Sequence, residues 1–504
     1  MTILLHGRHL HTHGHPLNDL SNINTRNSEA SRVLLFRRAQ RDLYDSLRLI
    51  NHNAPIGSLP PEILGQIFET ANQSNAKENT RPWDHLCRRK PLPIIISQVS
   101  SHWRDVALNS PLLWSEINIS PPWSLRIIAL FLARSKACPI HLNLTIPTIA
   151  FGNLLTPTVV NASAYILCDM VAQHIPRCRK ITIKGDFNRL EPLLDAIMST
   201  IHPSKAPHLE QLVLQVTGTS DFLAGFSAPL FIESPKLNHL RITSPMVPCL
   251  PSLEHVTSLH LALGNTNGIE FATLAALAKL CPCLETLALY DDVVCSPWPE
   301  AATVDLPSLR SLQVYGTFTS VSDLLKVISA PLLENLVIAP ILARDLLEYH
   351  NHVVASKPTL PKLKSITLSP VSPSGFALLA MAAECFPYVE RLTIPNIHPD
   401  SFRDIFTDAD AEVIWPHLSE IALRNIDSES METLFSIISF REAVGQPLRK
   451  LCLDRRSLQR IGPVMHALPW NIEIVESDVW FSLRDEDLLY EPAHFVGSDF
   501  DFID

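Results

Sequence analysis

Glycine is scarce in this chain, 15 of 504 residues, less than half the usual share of roughly 7 %. Loops that cradle phosphate need glycines so that backbone amides can approach the anion. Neither GxxxxGK[ST] nor GxGxxG occurs, and GxSxG and HExxH are missing too. No nucleotide fold, serine nucleophile or zinc protease is therefore expected, and no catalytic residue, cofactor or metal site is assigned. Basic charge is also short: 41 Lys and Arg stand against 51 Asp and Glu. A nucleic-acid binder needs a basic face to displace counterions, so no nucleic-acid partner is expected. No apolar run reaches the roughly 18 residues that span a bilayer, so no membrane partner is expected. The first residues, MTILLHGRHLHTHGHP, are too short and too rich in His for a secretory signal. Ten cysteines lack framework spacing, which points to reduced thiols and a cytoplasmic or nuclear setting, or both.

Proline is plentiful, with 40 residues, and its placement is regular. PHLEQLVLQV starts at Pro207, PKLNHLRITS at Pro235, PCLETLALYD at Pro282 and PSLRSLQVYG at Pro307. PLLENLVIAP follows at Pro331, PKLKSITLSP at Pro361, PYVERLTIPN at Pro387 and PHLSEIALRN at Pro416. PLRKLCLDR at Pro447 is a shortened copy, PRCRKITIKG at Pro176 a weaker one, and PSLEHVTSLHLAL at Pro251 fits with a two-residue insertion. The frame is Pro-x-Leu-x-x-Leu-x-Leu, and from Pro282 to Pro447 its starts lie 24 to 31 residues apart. Such a period marks a solenoid, because one unit cannot bury its own apolar face. The last two leucines alternate with a variable residue, which is strand periodicity. Proline removes an amide donor, so it belongs before the strand. Apolar helical patterns lie between: 271–280, 321–329, 343–355, 375–385 and 431–440. Strand then helix, repeated, gives parallel strands with right-handed crossovers.

The frame resembles the leucine-rich repeat family over roughly residues 138–477. It departs from the family where Asn or Cys usually follows the third leucine: Thr217, Asp292 and Thr317 stand there instead. The resemblance implies a curved parallel sheet with helices on the outer face.

Ahead of the repeats, IGSLPPEILGQIF runs from Ile56 to Phe68. Pro60, Pro61 and Glu62 suit a helix start, and Ile63, Leu64, Ile67 and Phe68 form one stripe. VSSHWRDVALNSPLLWSEI follows from Val99 to Ile117. Leu59, Pro60, Glu62, Ile63, Leu64 and Ile67, then Val99, Ser100, Trp103, Arg104, Ala107, Leu113 and Trp114, resemble an F-box. The variant is similar to F-box-like modules that accompany degenerate leucine-rich repeats in many fungal proteins. It differs by an insertion, 72–91. The resemblance implies docking on the Skp adaptor, and through it on a cullin, of an SCF-type ubiquitin ligase. Leu59, Pro60, Ile63, Leu64 and Ile67 would be the adaptor anchors, and Val99, Trp103, Leu113 and Trp114 the core. The bland alternative is that the anchors only close a small helical core.

The expected class is α/β: a helical F-box-like domain, then a leucine-rich-repeat-like solenoid. The expected divisions are a His-rich tail at 1–27, an amphipathic helix at 28–52 packing on the F-box-like domain at 53–120, a solenoid at 121–480 and an acidic tail at 481–504. A short dimerising helix is the second reading of 28–52. In a leucine-rich sheet the residues between the leucines line the concave face. These are His239, Arg241, Thr243, Ala288, Tyr290, Gln313, Tyr315, Thr367, Ser369, Arg391, Thr393, Arg424, Lys450 and Asp454. Aromatic anchors and arginine forks are what protein interfaces use. Arg241, Tyr290, Gln313, Tyr315, Arg391 and Arg424 are therefore the candidates for an unidentified protein substrate. A solvated face of ordinary polar residues fits the same pattern. Cys281 and Cys283 read as two buried thiols at a helix-to-strand junction, and His85, Cys87 and His102 as a weak metal possibility.

Overall fold

The computed structural model describes residues 32, 34–46, 55–78, 91–120, 123–146, 157–186, 191–202, 204–217, 230–243, 250–262, 271–290, 298, 303–315, 321–339, 341, 343–355, 360–369, 375–395, 413–424, 426, 428–461 and 472–477. The tails expected at 1–27 and 481–504, together with His85 and Cys87, lie outside them. The chain divides into two units, 1–79 with 87–113, and 80–86 with 114–504.

The first unit is helical. Helix α1 is described at residues 32 and 34–46. A 3-10 turn at Pro55–Ser58 precedes α2 (Pro61–Glu78), and α3 (Leu92–Ile96) and α4 (Ser101–Asn109) follow. Helix α2 runs through the first seven residues of the expected insertion, because NQSNAKE carries no proline or glycine to stop it. The rest of the insertion up to residue 90 lies outside the described residues. Every described residue of α1 is exposed, so the expected packing of this helix on its neighbours is not what the structure shows.

The second unit is a leucine-rich-repeat-like solenoid. Fourteen parallel strands stand in chain order in one sheet: β1 (Glu116–Ile119), β2 (Ile140–Ile146), β3 (Cys178–Asp186), β4 (Gln211–Thr217), β5 (His239–Thr243), β6 (Ser258–Ala262), β7 (Thr286–Tyr290), β8 (Ser311–Tyr315), β9 (Asn335–Ala339), β10 (Ser365–Leu368), β11 (Arg391–Ile394), β12 (Glu420–Leu423), β13 (Lys450–Leu453) and β14 (Glu473–Glu476). The expected helices are present: α8 (Phe271–Leu280), α9 (Val321–Val327), α10 (Ala343–Ala355), α11 (Gly375–Cys385) and α12 (Ser428–Ala443). Earlier ones, α5 (Leu125–Arg134), α6 (Pro157–Ala172) and α7 (Glu191–Ile201), and a last one, α13 (Arg455–Ile461), complete the helical side among the described residues.

The proline of the frame has a more specific role than clearing the strand. It sits second in a tight turn whose fourth residue, the first leucine, donates its N–H back to the residue before the proline. Leu209 donates to Ala206 at 3.1 Å, Leu284 to Cys281 at 3.2 Å, Leu309 to Leu306 at 3.1 Å and Leu333 to Ala330 at 3.1 Å. Proline's fixed φ suits that turn position. The turn also corrects the repeat at Pro251. Val256 donates to Leu253 at 3.1 Å, so Glu254 takes the proline's place. Val256, Leu259 and Leu261 then fall in frame with no insertion.

The same frame moves the solenoid's start. Ile117 and Ile119 pair with Leu142 and Leu144, so β1 lies inside the range expected for the F-box-like domain, and Trp114 takes the first-leucine place. All three leucine rows are buried: Leu309, Leu312 and Val314 expose 0 %, 0 % and 2 %.

Polar groups fasten the repeats at the start of each strand. The Glu285 carbonyl accepts from Arg310 and Ser311, that of Arg310 from Glu334 and Asn335, and that of Glu334 from Lys364 and Ser365. On the same edge, opposite charges alternate: Arg179–Glu210 at 2.7 Å, Arg310–Glu334 at 2.6 Å and Lys364–Glu390 at 3.1 Å. Buried arginines tie turns to helices. Arg441 in α12 donates to the carbonyls of Ile414, Trp415 and Leu418 at 3.0, 3.1 and 3.0 Å, which satisfies a turn where Trp415 has a φ of 51°. Burial pushes its guanidinium down to about 10.

Cys281 is 2 % exposed, but Cys283 is exposed. Only the first of the pair is the expected buried thiol, because Cys283 occupies the outward third position of the turn. Burial pushes the thiols of Cys178, Cys281 and Cys385 up to about 12, and thiolate is the reactive form. Iodoacetamide at mildly alkaline pH should therefore alkylate Cys283 and spare these three until denaturant is added, as read by peptide mass mapping. Leu312→Ala should cost about 2–5 kcal/mol in urea unfolding. Glu334→Ala, on the exposed ion pair, should stay within about 1 kcal/mol.

Candidate functional site

Two surfaces were marked by the sequence, one on each unit. On the helical unit, Leu64 and Phe68 expose 0 % and 2 %. Phe68 meets Trp103 of α4 at 4.9 Å between ring centroids. Gly65 is buried beside them, and a Cβ there would meet the Ser110 Oγ at 3.3 Å. Ser100 caps α4 by accepting from the Trp103 amide at 3.1 Å, and the Arg104 Nε donates to the Ser97 carbonyl at 2.8 Å. Val106, Ala107 and Leu113 complete this core.

One helical turn apart on the adjoining stripe, Ile63 and Ile67 are 42 % and 43 % exposed. Pro60 is exposed and Leu59 half-buried. The expected anchor set thus separates. Ile63, Ile67 and Pro60 face solvent, whereas Leu64 belongs to the interior because its position on the helix points with Phe68. The expected core set separates too. Leu113 is buried and Trp103 half-buried, but Val99 is 51 % exposed, since it stands in the turn before α4. Trp114 is fully buried in the solenoid, edge-on to Phe131 at 5.1 Å and under the Arg134 guanidinium at 4.3 Å. His102 is the described member of the possible metal group, and the described residues hold no cluster of three or more His, Cys, Asp or Glu fit for a metal.

On the solenoid, the residues between the leucines do share one face. Arg241 pairs with His260, His260 with Ala288, and Ala288 with Gln313 across β5–β8. Tyr290 lies opposite Tyr315, their rings stacked at 5.2 Å and 10°. The expected neighbours are neighbours, but they do not form a solvated surface. Arg241, Tyr290, Gln313 and Tyr315 expose 2 %, 1 %, 2 % and 5 %. His239, Thr243, Ala288, Thr367, Ser369 and Asp454 are buried as well.

The physical reason is that long and short residues alternate across the strands. Ala262, Ala288 and Ala339 leave room for the two tyrosine rings and Val337, and these form one cluster. The Arg241 guanidinium lies 4.9 Å from the Tyr290 ring centre. A chain of side chains runs beside it. His239 Nδ1 meets the Ser258 Oγ at 3.1 Å, the same oxygen meets His260 Nε2 at 3.1 Å, and His260 Nδ1 meets the Tyr290 hydroxyl at 3.0 Å. The sequence reading missed Ser258 and His260 because the repeat at Pro251 was read out of frame; starting it at Glu254 finds both.

The face opens at its far end. Arg391 is exposed, and Thr393, Glu420, Arg424 and Lys450 are half-buried. There Lys450 and Glu420 pair at 3.3 Å.

No protein-family model matches the chain, and no curated protein matches it. Among solved structures it is similar to a chain in the crystal structure of the Rad7 and Elc1 complex in yeast, at 11 % identity and a TM-score of 0.33, covering 92 % of this chain and 99 % of that one.

If the tyrosines serve the interior, their loss reads in stability. Tyr290→Phe, which removes the hydroxyl 3.0 Å from the His260 Nδ1, should cost about 1–3 kcal/mol, and Tyr315→Ala about 3–5 kcal/mol. Arg391→Ala should stay within about 0.5 kcal/mol. Urea titrations of the three variants test the order.

Proposed function

We propose that this protein is a non-enzymatic substrate receptor of an SCF-type cullin-RING ubiquitin ligase, working in the cytoplasm or nucleus. The helical unit, similar to F-box-like modules of fungal proteins, would dock on the Skp adaptor and through it on the cullin. The observation that carries this reading is the split of one helix, α2. Leu64 and Phe68 close a core, which leaves Ile63 and Ile67 free to be buried by something else. Exposed apolar residues at helical spacing suit a partner's groove. Pro60 extends that stripe, and Leu59 flanks it half-buried.

The solenoid would hold a protein substrate. Its open end supplies the contacts: Arg391, Arg424, Glu420 and Lys450 offer both signs of charge in a small area. A receptor of this type works as a tether that raises effective concentration, with no chemistry of its own. A second reading keeps the same surfaces in a protein-interaction scaffold without a ligase role.

The deciding experiment is co-purification of the full chain with Skp adaptor and cullin. Ile63→Glu/Ile67→Glu should lower capture at least tenfold, with the circular dichroism spectrum unchanged. Leu64→Ala should instead lower the melting temperature. A folded wild type that captures no adaptor would remove the ligase reading and leave the scaffold. With a bound protein in hand, Arg391→Glu/Arg424→Glu should weaken its capture, and adaptor-dependent turnover of that protein separates the two readings.

A further inference from the structure

Along the strand-start edge Arg179, Arg310 and Lys364 each meet a glutamate. In the last repeats that pattern stops. Arg391, Arg424, Arg449, Arg455 and Arg456 form no ion pair with any described residue, and all but the half-buried Arg424 are exposed. Three of the five stand together. Leu423 of β12 pairs with Leu453 of β13, so one step on Arg424 lies beside Asp454, and Arg455 and Arg456 follow. The Asp454 carboxylate is directed into the first turn of α13, where it accepts from the Arg456 amide at 3.2 Å and from the Ser457 hydroxyl. Glu420 and Glu473 both stand opposite Lys450, at the other end of these strands. Glu476 stands opposite Leu453, in the leucine row, which alternation places on the other side of the sheet. Three like charges gathered in one place repel one another, and an acidic neighbour relieves that repulsion.

The chain itself supplies one. After Arg484 it runs DEDLLYEPAHFVGSDFDFID, with Asp485, Glu486 and Asp487 in succession and no basic residue. This segment lies outside the described residues, but the strand that leads to it is described. Strand β14 ends at Glu476, opposite Leu453, two residues short of Arg455. Asp485 is nine residues further on, a reach of up to about 30 Å. We propose that the acidic segment 485–504 docks on its own solenoid, with Asp485, Glu486 and Asp487 against Arg424, Arg455 and Arg456. A segment tethered at this range has an effective concentration near millimolar, above that of a free acidic protein of equal charge. The tether therefore selects this occupant. On the reading that the open end holds a protein partner, the docked segment covers Arg424 and competes with that partner. The docking itself does not rest on that reading.

The test uses the full chain and a fluorescein-labelled peptide of residues 485–504, read by anisotropy at low salt. Asp485→Asn/Glu486→Gln/Asp487→Asn vacates the arginines, so this variant should bind the peptide at least tenfold more tightly than the wild type does. Adding Arg424→Glu/Arg455→Glu/Arg456→Glu to it should lower binding at least tenfold, with the circular dichroism spectrum unchanged. Added salt should weaken binding to the unreversed chain, which tests the charge contact without altering the fold. Equal binding by the wild type and the acid-neutralised variant overturns the proposal. So does an acid-neutralised variant that binds no peptide, or one whose binding survives both salt and the arginine reversal. A wild type that sediments as a dimer, made monomeric by neutralising the three acids, assigns the segment to a second copy and overturns it too. A partner protein captured equally by both chains removes the competition alone, whereas a chain that captures no partner removes the reading of the open end.

Discussion

From β4 to β13 each repeat of the solenoid is locked to the next by a single carbonyl that accepts two successive amides. Those of Glu285, Arg310, Glu334, Lys364, Glu390 and Ser419 all do so. The lock fixes register at the first residue of each strand from β5 to β13. Register matters here because side chains alternate between faces, and a slip of one residue would turn the leucines out of the core. From Leu212 in β4 to Leu451 in β13, the inward rows run strand to strand without a break. The proline turn delivers the chain to the lock, the first leucine buries the turn, and the alternating ion pairs follow the same edge.

That regularity decides what the inner face can be. Where neighbouring strands present residues of similar length, the face would be a solvated lattice. Here tyrosines stand beside alanines, so the rings lie across their neighbours and the middle of the face becomes a second interior. It is an interior with polar members, among them His239, Gln313 and Arg241. Buried polar groups are costly unless bonded, so this region specifies its arrangement more narrowly than an apolar one would. What stays exposed on this face is its open end, at Arg391, Thr393, Glu420, Arg424 and Lys450.

Strand position and the position of the five expected solenoid helices were legible in the sequence to within about three residues, the largest difference being α12, which runs three residues past its apolar pattern at each end, since period two and period 3.6 are local properties. Helices α8, α10 and α11 begin and end where their apolar patterns do. Neighbour relations were legible as well: Tyr290 beside Tyr315 follows from equal places in adjacent repeats. Exposure was not, because it depends on what four or five other strands place alongside, and single repeats do not carry that information. The helical unit shows the same limit. Ile63 and Leu64 are adjacent in one apolar stripe, yet one is 42 % and the other 0 % exposed. The stripe is wider than the core it meets. Val99 and Trp114 were misplaced for a related reason: a motif gives spacing, and the boundary between two units can fall inside it.

The chain of His239, Ser258, His260 and Tyr290 has a direction. Ser258 has one hydroxyl hydrogen and faces two ring nitrogens, so at least one of those nitrogens carries a hydrogen of its own. If the serine donates to His239, His260 is the donor on its Nε2 side, and its other nitrogen, in the neutral ring, accepts from Tyr290. If the serine donates to His260, every hydrogen in the series points the other way. The two arrangements share one set of heavy-atom positions and differ only in tautomer. In each arrangement strands β5, β6 and β7 are joined through the Ser258 hydroxyl and the Tyr290 hydroxyl as well as by packing.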